Sequence, residues 1–189
     1  MVAKNIIFVS STSTKLIKLF REAIQKSYHI TWYKYSHLAS WILEQGLGYE
    51  MTTEENDLVV TLTKALDDYK DCSYRDLISV MEQFERGELG TDFLVVEFPC
   101  AAGYESTVDR YARMDKAGRR MGRDNIYSVK LTFAPDLASK ARVKNNRTYD
   151  YDIYNTTNVE QMKMKAKRLF DRLLQDVLEE RASKATDKD

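Results

Sequence analysis

Cysteine, proline and glycine are all scarce in this chain. Among its 189 residues there are two cysteines, two prolines and seven glycines. The two cysteines, Cys72 and Cys100, are too few for a disulfide framework, and neither lies in a metal-ligand spacing such as C-x-x-C. No internal repeat, low-complexity tract or linker divides the chain, so we expect one domain.

An excess of charge of either sign and long apolar runs are also missing. Lysine plus arginine total 29 and aspartate plus glutamate total 29, so the formal net charge is zero. This balance gives no bulk attraction for a nucleic acid or a membrane, and any phosphate binding must be local. Without a membrane-spanning run or a secretion signal, we expect a cytoplasmic protein. Self-association is compatible with this composition.

Five short apolar segments predict buried strands, because their apolar residues follow one another without alternation. They are Asn5–Val9, His29–Lys34, Phe93–Phe98, Ile126–Leu131 and Tyr151–Tyr154. Helical periodicity separates them. We therefore expect an α/β fold with a five-stranded parallel sheet and helices on both faces, in which the strand at Ile6–Val9 is central between the third and fourth strands.

The helical segments set the expected domain organisation. Ser36 is a candidate N-cap, and Ser73 with Asp76 forms a capping-box pattern for a later helix. We expect one domain over residues 1–182, with a helical insertion at 36–88 and a basic, lid-like segment at 134–148. The polar residues 183–189 are expected to form a flexible tail.

A hydroxyl-rich run follows the first predicted strand. Ligands of parallel α/β folds bind beyond the carboxyl ends of the strands, where this run lies. Its hydroxyls, backbone N–H groups and lysine could bind a phosphate at the positive end of a helix. The alternative is an ordinary helix start, in which Ser and Thr only cap the helix. The residues are Ser10, Ser11, Thr12, Ser13, Thr14 and Lys15.

Other candidate site residues follow the later strands. Glu97, with Asp92 nearby, could position a metal ion or a substrate hydroxyl; alternatively it is an end-of-strand charge that reaches water. Cys100 has no motif around it and is expected to be an inert thiol. Tyrosines that could stack on a base, or else belong to core and surface, are Tyr33, Tyr35 and Tyr104. Basic residues of the segment before the fifth strand are Lys140, Arg142, Lys144 and Arg147.

The order of these pieces resembles the P-loop kinases of small phosphorylated metabolites, especially phage-type deoxynucleoside monophosphate kinases and dephospho-coenzyme A kinases. The segment 149–157 followed by Val159 and Glu160 is similar to the end of those enzymes. The segments 73–77 and 86–87 resemble the helix that presents arginines to the acceptor phosphate. In the motif G-x-x-x-x-G-K-[ST], Lys15 takes the lysine position, whereas Val9 and Thr14 stand at the glycines and Leu16 at the hydroxyl.

The resemblance implies phosphoryl transfer from a nucleoside triphosphate to a (deoxy)nucleoside monophosphate, with ATP and Mg²⁺ as candidate cofactors. It assigns charge neutralisation on the transferred group to Lys15 and Arg142, and positioning of metal or acceptor to Glu97. Phosphate contacts are assigned to Arg75, Arg86 and Arg147. One alternative is a non-catalytic relative that binds a nucleotide or a protein partner. Another is a TIR-like or flavodoxin-like ligand domain, whose opening resembles residues 7–12.

Overall fold

The computed structural model describes residues 5–11, 13–49, 57–98, 126–133, 151–155 and 159–186. The strands of this part are β1 (Asn5–Ser11), β2 (Ile30–Lys34), β3 (Phe93–Glu97), β4 (Ile126–Phe133) and β5 (Tyr151–Asn155). The helices are α1 (Thr14–Gln25), α2 (His37–Trp41) with a π-helical continuation (Ile42–Gly46), α3 (Asp57–Lys70), α4 (Cys72–Arg86) and α5 (Val159–Thr186). Because α5 continues to Thr186, residues 183–186 of the predicted flexible tail are helical.

The strands form one sheet in the order β2-β3-β1-β4-β5, and every neighbouring pair is parallel. The α/β class, the parallel sheet and the central position of β1 between β3 and β4 are therefore confirmed. A flavodoxin-like sheet has the order 2-1-3-4-5, with β1 next to β2. Here β3 separates those two strands, so the flavodoxin-like alternative is wrong.

Alternate residues of the strands pack into two cores on opposite faces of the sheet. On one face Ile7 and Val9 of β1 pack with buried residues of α1 and α5, including Phe20 and Phe170. On the other face Ile6 and Phe8 pack with buried residues of α4. Fully burying such a side chain stabilises the fold by about 1.5 to 3 kcal/mol. These two layers explain why the strand sequences are apolar without alternation.

The start of α4 differs from the expected capping box. The helix begins at Cys72, after Asp71 in the left-handed conformation (φ 57°). Ser73 therefore lies inside the first turn, where its buried Oγ has no hydrogen-bond partner among the described residues. The cap comes from α3, since Asp67 Oδ1 accepts the N–H of Tyr74 at 3.2 Å. Ser36 precedes α2 but makes no side-chain cap.

The described part of the helical insertion has a small core of its own. Ala39 and Leu43 of the α2 region pack with Val59 of α3, and Leu62 and Leu66 complete the cluster. These contacts join α2 to α3 independently of the sheet. Within the described ranges, no helix has both the length and the apolar character needed to cross a membrane.

Candidate ligand site at the carboxyl edge of the sheet

The strands that follow β1 and β3 in the chain lie in opposite directions along the sheet. β1 is followed by α1 and then by β2, which lies on the far side of β3, whereas the next strand after β3 is β4, which lies on the far side of β1. Ligands of open α/β sheets bind beyond the carboxyl ends of the strands, in the crevice where the strand order changes direction. Ser10, Ser11 and Glu97 all lie at this edge, as the sequence analysis predicts.

The link between β1 and α1 is short. β1 stays paired with β4 as far as Ser11, which lies opposite Leu131, and α1 begins at Thr14. Only Thr12, which lies outside the described residues, and Ser13 separate the two elements. A glycine-rich phosphate loop would instead leave the strand near Val9 and curl around the phosphates. β1 therefore continues through Ser10 and Ser11, where the resemblance implies a curled phosphate loop.

The hydroxyls at this link make hydrogen bonds within the protein. Ser11 Oγ donates to the Leu131 carbonyl at 2.9 Å and accepts the N–H of Ser13 at 3.0 Å. Ser13 is the extended N-cap residue of α1, and its Oγ accepts the N–H of Leu16 at 3.4 Å. For Ser11 and Ser13, the simple helix-start alternative thus explains the observed contacts. Ser10 is buried in the strand opposite Lys130.

Two positions of the phosphate-loop motif belong to the core. Val9 is buried in the sheet between Glu97 and Val129, and Leu16 is 0% exposed and packs in the α1 core. Leu16 stands where the motif has a metal-binding hydroxyl, and no group of three or more His, Cys, Asp or Glu residues that could hold a metal occurs in the described ranges. The described residues therefore do not fit a P-loop magnesium site. Lys15 is exposed in the first turn of α1.

Glu97 is a buried carboxylate at the crevice. It ends β3 opposite Val9, its exposed fraction is 8%, and its Oε2 accepts the indole N–H of Trp32 at 2.5 Å. The guanidinium of Arg21, on α1, lies 5.4 Å from the centre of the Trp32 ring. Glu97 is thus not an end-of-strand charge pointing into water. Asp92 precedes the first residue of β3 and so lies at the opposite edge of the sheet.

The two predicted arginines that the structure describes, Arg75 and Arg86, do not lie together. Arg75 and Arg86 lie near opposite ends of α4, about 16 Å apart along its axis. Arg86 is exposed and paired with Glu88, whose pKa is lowered by that hydrogen bond. Because α4 leads into the amino end of β3, Arg86 lies away from the crevice. The candidate residues after β3 that lie outside the described ranges are Cys100, Tyr104, Lys140, Arg142, Lys144 and Arg147.

Comparison with known proteins gives one likeness of structure. No protein-family model matches the chain, and no curated protein is significantly similar in sequence. A solved structure that is similar to it is a dephospho-CoA kinase from Campylobacter jejuni. The identity is 11%, the TM-score is 0.48, and the match covers 90% of this chain and 97% of that chain. Such a likeness shows neither a family nor an activity.

The tyrosines at the end of β2 are buried and hydrogen-bonded. Tyr33 donates its O–H to Asp76 and Tyr35 donates to Asp67, each at 2.6 Å. Burial, and then the Asp76 carboxylate, raise the pKa of Tyr33. Tyr35 also stacks on Phe98, with ring centres 5.0 Å apart. Neither ring is open to a base, so the stacking role considered for them is wrong and they are core residues.

Sequence reasoning missed the residues that surround Glu97 and Ser10. Trp32 of β2 contacts Glu97 of β3, and Arg21 of α1 contacts Trp32. No local sequence motif predicts these tertiary contacts. Lys130 lies opposite Ser10 because of the β1–β4 register. The sequence did indicate that Lys130 is unusual, because a lysine inside the apolar run of β4 is as unexpected as a glutamate at the end of β3.

Proposed function

We propose that this chain binds a nucleotide at the carboxyl edge of its sheet, in the crevice between β1 and β3. Transfer of a phosphoryl group from a nucleoside triphosphate to a (deoxy)nucleoside monophosphate is the activity that the resemblance implies, and we propose that it is weakened or lost here. One observation carries the proposal. It is that β1 and β3 are neighbours in the sheet, that α1 begins just after β1, and that β3 ends at the buried Glu97.

The start of α1 supports phosphate binding. A helix N-terminus carries partial positive charge and unpaired N–H groups, and α1 begins at the crevice edge without an acidic residue in its first turn. Lys15 lies in that turn and is exposed, so its ammonium can reach a phosphate beyond the sheet. Phosphates would then lie against Thr14 and Lys15 rather than inside a curled loop.

The same contacts argue against efficient phosphoryl transfer. In a P-loop kinase the backbone wraps the phosphates, and a hydroxyl next to the lysine holds magnesium. Here the extended β1 replaces the curl, and the residue after Lys15 is the core residue Leu16. The non-catalytic alternative, a relative that binds a nucleotide without chemistry, is favoured by the internal hydrogen bonds of Ser11 and Ser13.

Other basic residues are assigned to the ligand on the resemblance alone. Arg142 and Arg147 would close over the phosphates as part of the segment 134–148. Arg75 is exposed in the first turn of α4, next to Asp76, which contacts Tyr33 near the carboxyl end of β2. It remains a candidate for an acceptor phosphate. Arg86 has no place in this site, because it lies at the other end of α4.

Titration calorimetry of a matched pair of variants tests the phosphate contact. Lys15→Ala should weaken binding of a nucleoside triphosphate by about 1.5 to 3 kcal/mol, roughly 10- to 150-fold, as for other charge-assisted hydrogen bonds. Lys18→Ala removes the same charge from the next exposed lysine of α1 and should change the affinity by less than about twofold. Equal losses in both variants, or no nucleotide binding by the wild type, would show the assignment to be wrong.

A second measurement separates the enzyme from the non-catalytic alternative. Nucleotide titrations with and without magnesium, and an assay of monophosphate phosphorylation, are made on the wild-type protein. Binding that does not need magnesium, with little or no turnover, is expected. Robust phosphorylation of a (deoxy)nucleoside monophosphate would contradict the proposed loss of transfer and would require the link between β1 and α1 to rearrange when the substrates bind.

A further inference from the structure

The contact between Trp32 and Glu97 joins a buried charge to a neutral donor. Removing a carboxylate from water is costly unless its oxygens are hydrogen-bonded. The indole N–H of Trp32 supplies such a hydrogen bond to Oε2 of Glu97. Arg21 of α1 lies over the Trp32 ring, and Lys34 of β2 is the register partner of Glu97. Lys15 and Lys18 are the other cationic residues of α1.

The indole itself is held by α1. Phe20 packs against Trp32 with ring centres 6.4 Å apart, and Arg21 lies over the same ring. Aromatic pairs and cation–π contacts each contribute modest stabilisation and fix the ring orientation. Rotating the indole away from Glu97 would lose both contacts. The direction of the N–H is therefore set by the helix that also begins at the proposed phosphate site.

Resting on the proposed nucleotide site, we propose that Trp32 is a positioning residue for Glu97. Its N–H holds Oε2 and so fixes the plane of the carboxylate at the crevice between β1 and β3. An anionic carboxylate repels phosphate oxygens and accepts hydrogen bonds. Glu97 therefore receives a hydroxyl or amino group of the nucleotide, while the phosphates lie at Lys15.

The hydrogen bond can be tested in the free protein by NMR. The chain has two tryptophans, and Trp41 is a matched control because its side chain is 56% exposed and lies on α2. Trp41→Phe assigns the two indole N–H resonances. Glu97→Gln, which keeps the volume and removes the charge, should move the Trp32 indole proton upfield and leave that of Trp41 in place. An unchanged Trp32 resonance would overturn the proposal.

Nucleotide affinity tests the positioning role. Trp32→Phe keeps an aromatic ring against Phe20 and removes the N–H donor together with part of the indole, so binding should weaken about 3- to 10-fold, in the range for the loss of one typical hydrogen bond. Trp41→Phe should bind as the wild type does. Thermal melting of each variant checks that it is folded. If Trp32→Phe is unfolded, Glu97→Gln supplies the test, with the same expected loss.

The two proposals fail in different ways. Wild-type affinity in a folded Trp32→Phe variant, or in Glu97→Gln, overturns the positioning role while the nucleotide site stands. Absence of nucleotide binding by the wild type overturns the nucleotide site, and the positioning role falls with it even where the resonance shift is seen. Movement of the Trp32 resonance on adding nucleotide, without movement of the Trp41 resonance, is the result expected when both are correct.

Discussion

Asp67 joins the helical insertion to the end of β2, and replacing it should destabilise the whole domain. Its carboxylate accepts the O–H of Tyr35 at 2.6 Å and the N–H of Tyr74 at 3.2 Å. Tyr35 follows β2, whereas Tyr74 is in the first turn of α4. Asp67→Ala removes both acceptors at once and leaves two donors behind.

The expected cost follows from the burial of those donors. Tyr35 is 1% exposed and Tyr74 is 7% exposed, so water cannot readily replace the lost carboxylate. An unsatisfied buried donor costs about 1 to 3 kcal/mol, and the variant is relieved of one buried charge. We expect the free energy of unfolding to fall by about 3 kcal/mol, a large share of the roughly 5 to 15 kcal/mol that stabilises a typical domain.

Equilibrium denaturation in urea measures this change, and the next residue supplies the control. Asp68→Ala removes the same side chain from an exposed position of α3 and should change the free energy by no more than about 0.5 kcal/mol. In the double variant with Tyr35→Phe, the cost should be smaller than the sum of the two single changes, because one orphaned donor is gone. Equal stabilities of the Asp67 and Asp68 variants would refute the reasoning.

Two further predictions concern α1 and α5. Leu16→Ser supplies the hydroxyl of the phosphate-loop motif but removes a fully buried apolar side chain, so it should lower the free energy of unfolding by about 2 to 5 kcal/mol. It should create no magnesium-dependent nucleotide binding, and a calorimetric gain in nucleotide affinity on adding magnesium would contradict this. The pKa of Asp171 is lowered, first by the hydrogen bond from Tyr28 and then by Lys167. A carboxylate with a lowered pKa stabilises the fold above its unfolded-state pKa, and this stability is lost as the pH falls through its folded-state pKa. The melting temperature of the wild type should therefore fall more steeply below about pH 4 than that of Asp171→Asn. Parallel curves of melting temperature against pH would contradict this.

The sheet could be predicted from the sequence because its signals are physical requirements of burial. Strands covered on both faces need apolar side chains at successive positions, and residues 6–9 and 93–96 meet that need. Parallel strands need crossovers of one hand, which limits the orders that the sheet can adopt. The central position of β1 follows from these two constraints.

The start of α4 could not be predicted in the same way. Ser73 and Asp76 have the spacing of a capping box, but the acceptor that α4 uses is Asp67, on another helix. Asp76 instead accepts the O–H of Tyr33 from the sheet. A local pattern of four residues contains no information about such partners. The buried state of Tyr33 and Tyr35 was missed for the same reason, since their aspartates lie more than thirty positions along the chain.

Position 16 shows how two sequence signals can compete for one residue. The phosphate-loop motif requires a hydroxyl there, facing the ligand, whereas the spacing of Leu16, Phe20 and Ile24 requires an apolar side chain facing the sheet. One side chain cannot meet both requirements. The structure buries Leu16, whereas the preceding residue, Lys15, lies about 100° around the helix axis from it and is exposed. In the proposed nucleotide site, the ammonium of Lys15 would therefore face the phosphates and the carboxylate of Glu97 would face hydrogen-bond donors, while position 16 supplies no hydroxyl for a metal ion.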